Sequence, residues 1–278
     1  MQLFDAHCHL QDPRVFNVSS LLIKTALCYG IQLMAINGVS EKDWLRVKGM
    51  SDDYPSVVPC FGLHPWFLGD RSPNWFRLLK EYFQSTPAAA VGEIGLHKWP
   101  NGTEADFQLQ VQVFHQQIEL AKEINRPASV HCVDAFDELL DIMESIGPFP
   151  AGVMLHSYMG SAELVPRLVK LGTYFSFSGH HTTFMTPEKL KAVLKAVPKN
   201  RILLESDAPD ALPKLNSTEI QWVPGDASRT LNQPANIPVV LSYVASFLGM
   251  EEKEVAELTY RNSIRFYTYP GSKVAGDR

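Results

Sequence analysis

Leu3-Phe4-Asp5-Ala6-His7-Cys8-His9 is a short apolar run that ends in two imidazoles, and its reading decides how the rest of the chain is understood. In an extended backbone side chains alternate between faces, so His7 and His9 share one face while Cys8 turns to the other. That makes half of a metal site. A lone His-x-His pair is no more than half, so the remaining ligands have to come from elsewhere in the chain.

With 278 residues and 45% hydrophobic content, the chain can bury a large core, either as one α/β barrel or as two smaller domains. Collagenous, disordered and membrane classes are excluded. There is no basic segment followed by an apolar one at the start, and no run of about 18 apolar residues anywhere. The expectation is therefore a soluble, non-secreted protein of the cytoplasm or nucleus, with no membrane and no obligate protein partner. Cys8, Cys28, Cys60 and Cys132 lack a CxxC spacing and read as reduced thiols in or beside buried elements. A formal charge of −5 argues against a broad basic surface for nucleic acid, though a narrow site where metal ions meet phosphates is compatible with it.

Eight apolar runs alternate with helix-like segments. The runs are Leu3–Ala6, Leu33–Asn37, Val57–Leu63, Ala88–Ile94, Ala128–His131, Gly152–Leu155, Thr173–Ser178 and Arg201–Glu205. Ser40 stands three residues before Asp43 as a capping pair would, with Trp44, Val47 and Met50 following at helical spacing. From Glu104 to Ile124, Phe107, Val111, Phe114, Ile118 and Ala121 form one stripe; its first part also alternates with period two, but its length favours a helix. Leu164, Leu168 and Leu171 mark a helix that Pro166 makes short or late. Ile237, Val240, Leu241, Val244 and Leu248 form an apolar face, and a last helix is expected from about Glu251 to Phe266. The fold expected is a (β/α)8 TIM barrel in a single domain over 1–270, with a loose tail at 271–278 and a doubly wound open sheet as the alternative.

In a barrel the active site lies at the carboxyl ends of the strands. Strand one ends in His7 and His9, strand four in Gly92-Glu93, strand five in His131, strand six in His156, and strand eight in Glu205-Ser206-Asp207. Four of the nine histidines and two acidic strand ends thus fall at one rim, where chance would scatter them over loops and helices. Strand three ends in His64. His97, His180 and His181 are expected in loops on the same rim, and His115 on a helix surface.

These residues, in this order, resemble the TatD-type metal-dependent deoxyribonucleases of the amidohydrolase superfamily. The resemblance runs through DAHCHL at 5–10, GLHP at 62–65, GEIGL at 92–96, His131, HSYMG at 156–160, SFSG at 176–179, ESDAP at 205–209, and Asn262 with Phe266. It implies two divalent cations: His7, His9 and Asp207 on one, His131 and His156 on the other, Glu93 bridging them, and Glu205 as a further ligand where several hard ions bind. Magnesium is implied by the family, while the imidazoles favour zinc or manganese. The sequence departs from the family pattern at His97, where Asp is usual, at Ser206, where Thr is usual, and at Gln233 in Asn232-Gln233-Pro234, where Glu is usual. The first and third bear on substrate orientation more than on metal binding.

Two cations about 3.5–4 Å apart activate a water and stabilise a leaving oxygen. Glu93 suits the bridge because a carboxylate offers two oxygens, and Asp207 can take the proton of the water, so these two are the catalytic candidates. His64, Lys98, His180 and His181 are the candidate substrate contacts, since all follow strand ends and can donate to phosphate oxygens. The long segment Ala208–Ala235 holds Lys214, Trp222 and Arg229; it reads as a lid with a stacking Trp222, or as a loop that Trp222 packs onto the barrel. The function expected is 3′-5′ hydrolysis of DNA, or of RNA, from single-stranded ends. A small-molecule amidohydrolase or lactonase on the same scaffold, and a non-catalytic metal-dependent scaffold, are the competing expectations.

Overall fold

The computed structural model describes residues 1–215 and 218–276, and its eight strands form one parallel sheet in the order of the sequence. They are β1 (Leu3–Cys8), β2 (Ile31–Asn37), β3 (Val57–Phe61), β4 (Ala90–His97), β5 (Ala128–Val133), β6 (Val153–Leu155), β7 (Thr173–Phe177) and β8 (Ile202–Leu204), with a helix between each consecutive pair. Parallel neighbours require such a crossover. The last strand returns to the first: the Asp207 amide donates to the His7 carbonyl at 2.9 Å and the His9 amide to the Ala208 carbonyl at 2.6 Å. This is the (β/α)8 barrel expected. Among the described residues no helix is long and apolar enough to cross a membrane.

By their internal contacts the residues gather into two compact units. The first comprises Met1–Ile36, Ser157–Pro166 and Phe175–Arg265. All six residues of β1 are buried, polar Asp5 and His7 included, as suits a strand covered on both faces. Phe175 pairs with Ile202 and Phe177 with Leu204. Asn262, on the helix Glu252–Tyr267, donates to the carbonyls of Lys199 and Ile202 at 2.8 and 2.9 Å and so holds the approach to β8. Asn216 and Ser217 of the long segment lie outside the described residues.

The second unit comprises Asn37–His156, Arg167–Tyr174 and Phe266–Arg278. Ser40 and Asp43 form the capping box their spacing predicts, at the start of the helix Glu41–Asp53, whose Trp44, Val47 and Met50 are buried. The segment with two periodicities is a helix, Glu104–Glu123, begun by the Thr103 hydroxyl accepting from the Asp106 amide at 3.1 Å. Strand β4 runs three residues past the expected Ile94, because Gly95, Leu96 and His97 continue the ladder against His131, Cys132 and Val133. His97 therefore ends a strand instead of sitting in a loop. Gly95 permits this: at φ +148°, a Cβ there would stand 2.0 Å from the His131 carbonyl oxygen. The stretch after Pro270, expected to be loose, is held as far as Val274. Ser272 and Val274 are buried, and the Lys273 ammonium donates to the carbonyls of Ser51 and Tyr54; residues 277 and 278 lie outside the described residues.

Candidate functional site

In the first unit, His7 near the end of β1 and His9 just beyond it bring their imidazoles together. The Nε2 atoms of His7 and His9 stand 3.0 Å apart, and Asp207 Oδ1 is 3.7 Å from each. Asp207 sits in the left-handed region at φ 53°, which an aspartate tolerates and which recurs at functional sites. Its other oxygen, Oδ2, is 3.2 Å from His180 Nε2.

The residue that places Asp207 is one the sequence reading passed over. Fully buried Asp5 accepts hydrogen bonds from the Ser206 amide at 2.8 Å, the Ser206 hydroxyl at 2.5 Å and the His7 amide at 3.3 Å. One carboxylate thus ties the end of β1 to the residue beside Asp207. Burial raises Asp5 to about 7, against the pull of the Ser206 hydrogen bonds. Asn232 supports the same turn, its side-chain amide donating to the carbonyls of Ser206 at 2.8 Å and Ala211 at 3.2 Å.

In the second unit, Glu93 Oε1 faces three imidazole nitrogens: His156 Nε2 at 2.9 Å, His131 Nδ1 at 3.2 Å and His64 Nε2 at 3.3 Å. His131 Nδ1 is also 3.1 Å from His156 Nε2. The outer nitrogen of His131, Nε2, meets His97 Nδ1 at 2.9 Å, and the Trp66 indole N–H donates to that same Nδ1 at 3.1 Å. An indole nitrogen only donates, so His97 Nδ1 carries no proton. Burial lowers His131 to about 3, against the pull of Glu93, so the ring is neutral at ordinary pH.

Two glutamines of one helix fix the strand ends. Gln117 accepts from the Leu63 amide at 2.8 Å and donates to its carbonyl at 3.0 Å, beside His64. Gln110 does the same for His97, at 2.8 and 3.0 Å. Both side chains are buried, where amide-to-amide pairing satisfies all four polar groups.

These arrangements fit metal ions. In the second unit one carboxylate oxygen of Glu93 lies within 3.3 Å of a nitrogen from each of His64, His131 and His156, an imidazole–carboxylate convergence of the kind that holds a cation. In the first unit, three donor atoms spaced 3.0, 3.7 and 3.7 Å apart can all lie at about 2.0–2.2 Å from a single point, the coordination distance of nitrogen and carboxylate ligands. His7, His9 and Asp207 form one compact donor group, and His64, Glu93 and His131 another. Both are mixtures of imidazole and carboxylate, which suit zinc, manganese or, through the oxygens, magnesium.

Comparison with known proteins agrees with this donor chemistry. The family model described as TatD related DNase matches residues 4–268. The chain belongs to this family. It is 29% identical over 266 residues to the uncharacterized metal-dependent hydrolase YabD of Bacillus subtilis, covering 95% of this chain and 98% of that one. It is 28% identical over 260 residues to the 3′-5′ ssDNA/RNA exonuclease TatD of Klebsiella pneumoniae, covering 94% of this chain and 95% of that one. The crystal structure of the TatD homologue YJJV of Escherichia coli has the same fold, with a TM-score of 0.82, 24% identity, and coverage of 96% and 98%. Membership in TatD makes this chain one of a family of metal-dependent hydrolases with a barrel fold.

Against that family frame, the sequence-derived site residues land unevenly. His7, His9 and Asp207 come together within the first unit, and Glu93, His131 and His156 within the second. His64, expected to touch substrate, is buried against Glu93, with its Nδ1 accepting from the Trp66 amide at 3.1 Å. His181 is not at the surface: Ser178 N–H donates to its Nδ1 at 3.1 Å, and its Nε2 lies 3.0 Å from the Tyr158 carbonyl, so it holds backbone together. The Glu205 carboxylate accepts from the amide and hydroxyl of Ser157 and the hydroxyl of Ser176, at 2.7, 2.6 and 2.5 Å. Lys98 pairs with Glu138 at 3.2 Å. Gln233, where the resemblance leads one to expect Glu, donates its amide to the Trp222 carbonyl at 2.8 Å, which a carboxylate could not do. The Arg229 guanidinium, from the same segment, lies 5.3 Å over the Trp222 ring, which is 40% exposed.

Proposed function

We propose that this TatD-family chain is a nuclease that hydrolyses phosphodiester bonds of DNA from single-stranded 3′ ends by a two-metal reaction, with one divalent ion on each triad. The supporting observation is that a TatD-family chain gathers imidazoles around a carboxylate in each unit, His7 and His9 with Asp207 in the first and His64 and His131 with Glu93 in the second. A relative matched over 94% of this chain and 95% of its own is named a 3′-5′ ssDNA/RNA exonuclease. When bound, divalent ions supply Lewis acidity toward a phosphate oxygen and lower the pKa of water. The residues of the chain do the rest. His7 and His9 set the position of Asp207 Oδ1, and Asp207 is the group that accepts the proton of the attacking water. His180, beside Asp207 Oδ2, meets the phosphate; Glu93 is the common partner of three imidazoles.

Purified protein with added magnesium or manganese should shorten a 5′-labelled single-stranded DNA decamer from its 3′ end, and an RNA decamer more slowly. Chelation should stop both. Cleavage that persists after metal stripping, or hydrolysis of a lactone with none of either oligonucleotide, would overturn the reading.

A further inference from the structure

Two of the five tryptophans stand in water beside the Glu93 triad. Trp66 is 58% exposed and Trp99 36%, whereas Trp44 and Trp75 are buried. Single exposed aromatics are ordinary, but two against one residue make a patch. That residue is His97: its ring lies 5.5 Å from Trp66 and 4.7 Å from Trp99. Trp66 is also fixed in place. Its N–H is held by His97 Nδ1 at 3.1 Å, and the rings of His64, His97 and His131 meet it at 88°, 67° and 70°, none of them parallel to it. An indole whose edge is anchored, and against whose face no described ring is stacked, loses little entropy when a flat ligand settles on it. Its centroid is 6.2 Å from that of His131, so a ligand on Trp66 is continuous with the triad.

We infer that Trp66, with Trp99 across His97, forms a stacking platform for an unpaired nucleobase, the base attached to a phosphate presented to the Glu93 triad. This rests on the nuclease reading above and adds to it a reason for preferring single strands. In a duplex both faces of each base are covered by its neighbours, whereas an unpaired end base offers a face to an aromatic ring. Trp222, the tryptophan the sequence singles out for stacking, already carries the Arg229 guanidinium.

The test is fluorescence anisotropy with the full-length chain, metal chelated so that nothing is cut, titrated into a labelled thymidine decamer and into an abasic decamer of equal charge. The wild-type chain should bind the thymidine decamer about tenfold more tightly, within the range of base–aromatic stacking. Trp66→Ala should erase most of that preference and Trp99→Ala less of it. Trp66→Phe, which keeps a ring but loses the N–H to His97, should restore most of it. Equal binding of both decamers by the wild type, equal weakening of both by Trp66→Ala, or a preference that survives in the double alanine variant would each overturn the platform. The near-ultraviolet signal of the buried Trp44 and Trp75 reports that the variants are folded. Manganese-dependent cleavage separates the two readings: base preference without cutting removes the nuclease and leaves the platform, and cutting without base preference does the reverse.

Discussion

In the first unit two of three donors come from residues 7 and 9, neighbours along one stretch of backbone; in the second, Glu93, His131 and the two other imidazoles come from stretches far apart in the sequence, and side-chain contacts must set their spacing. The first triad is supported where Asp5 and Ser206 bring Asp207 to β1. The second is supported at several points: His97 on the outer nitrogen of His131, Gln110 on His97, Gln117 beside His64, and Gly95 for the approach of β4 to β5. A site assembled by local backbone is robust to distant change. A site assembled by side chains depends on residues that bear no ligand.

The largest effect expected is at Glu93, where three imidazoles share one oxygen. Glu93→Gln should lower metal-dependent phosphodiester hydrolysis by about a thousandfold or more and reduce bound metal measured by atomic emission, with the circular dichroism spectrum unchanged. Retention of both metal and activity would dissolve the contrast between the triads. Next is Gln117→Leu, which leaves the buried amide and carbonyl of Leu63 without their partner. It should cost about 2–4 kcal/mol in urea unfolding. A loss under about 0.5 kcal/mol would mean that β3 holds its own end. Ser206→Ala should cost less, about 1–2 kcal/mol, since Asp5 keeps the backbone amide. Ser206→Thr should recover most of that loss, and equal stability of all three chains would break the link between Asp5 and Asp207.

The smallest effect concerns acid stability. Burial holds His181 below its ordinary value, so the unfolded chain takes up this proton more readily than the folded one. Its contribution to stability is full above the unfolded pKa and is lost as pH falls below about 6.5. His181→Asn should therefore be less stable than wild type at pH 7.5 and show a shallower decline between pH 6.5 and 5, read from urea midpoints. An unchanged slope would mean that other imidazoles lowered by desolvation, His131 and His97 among them, carry the whole effect.

The barrel was legible because its strands are buried on both faces and so leave apolar runs such as Val57–Phe61 and Ile202–Leu204. The candidate site residues were legible because they stand at or just after those runs. His181 was misread for a related reason: a histidine after a strand looks the same whether it meets solvent or, as here, two backbone groups. The supporting residues were hidden altogether. Gln110 and Gln117 fall in the buried stripe of an otherwise amphipathic helix, where a sequence reading expects apolar side chains, and nothing local to Asp5 announces a partner 201 residues away.

The helix Glu104–Glu123 acts as a ruler as well as a cover. Its two amide clamps are seven residues apart, close to two full turns, so both grip strand ends from one side. One residue inserted between positions 110 and 117 would rotate one clamp by about 100° relative to the other, and the helix could then serve β3 or β4 but not both. Length variation in this part of the chain should be confined to the turns before Thr103 and after Glu123, a spacing rule that a scan of single insertions along the helix can read directly.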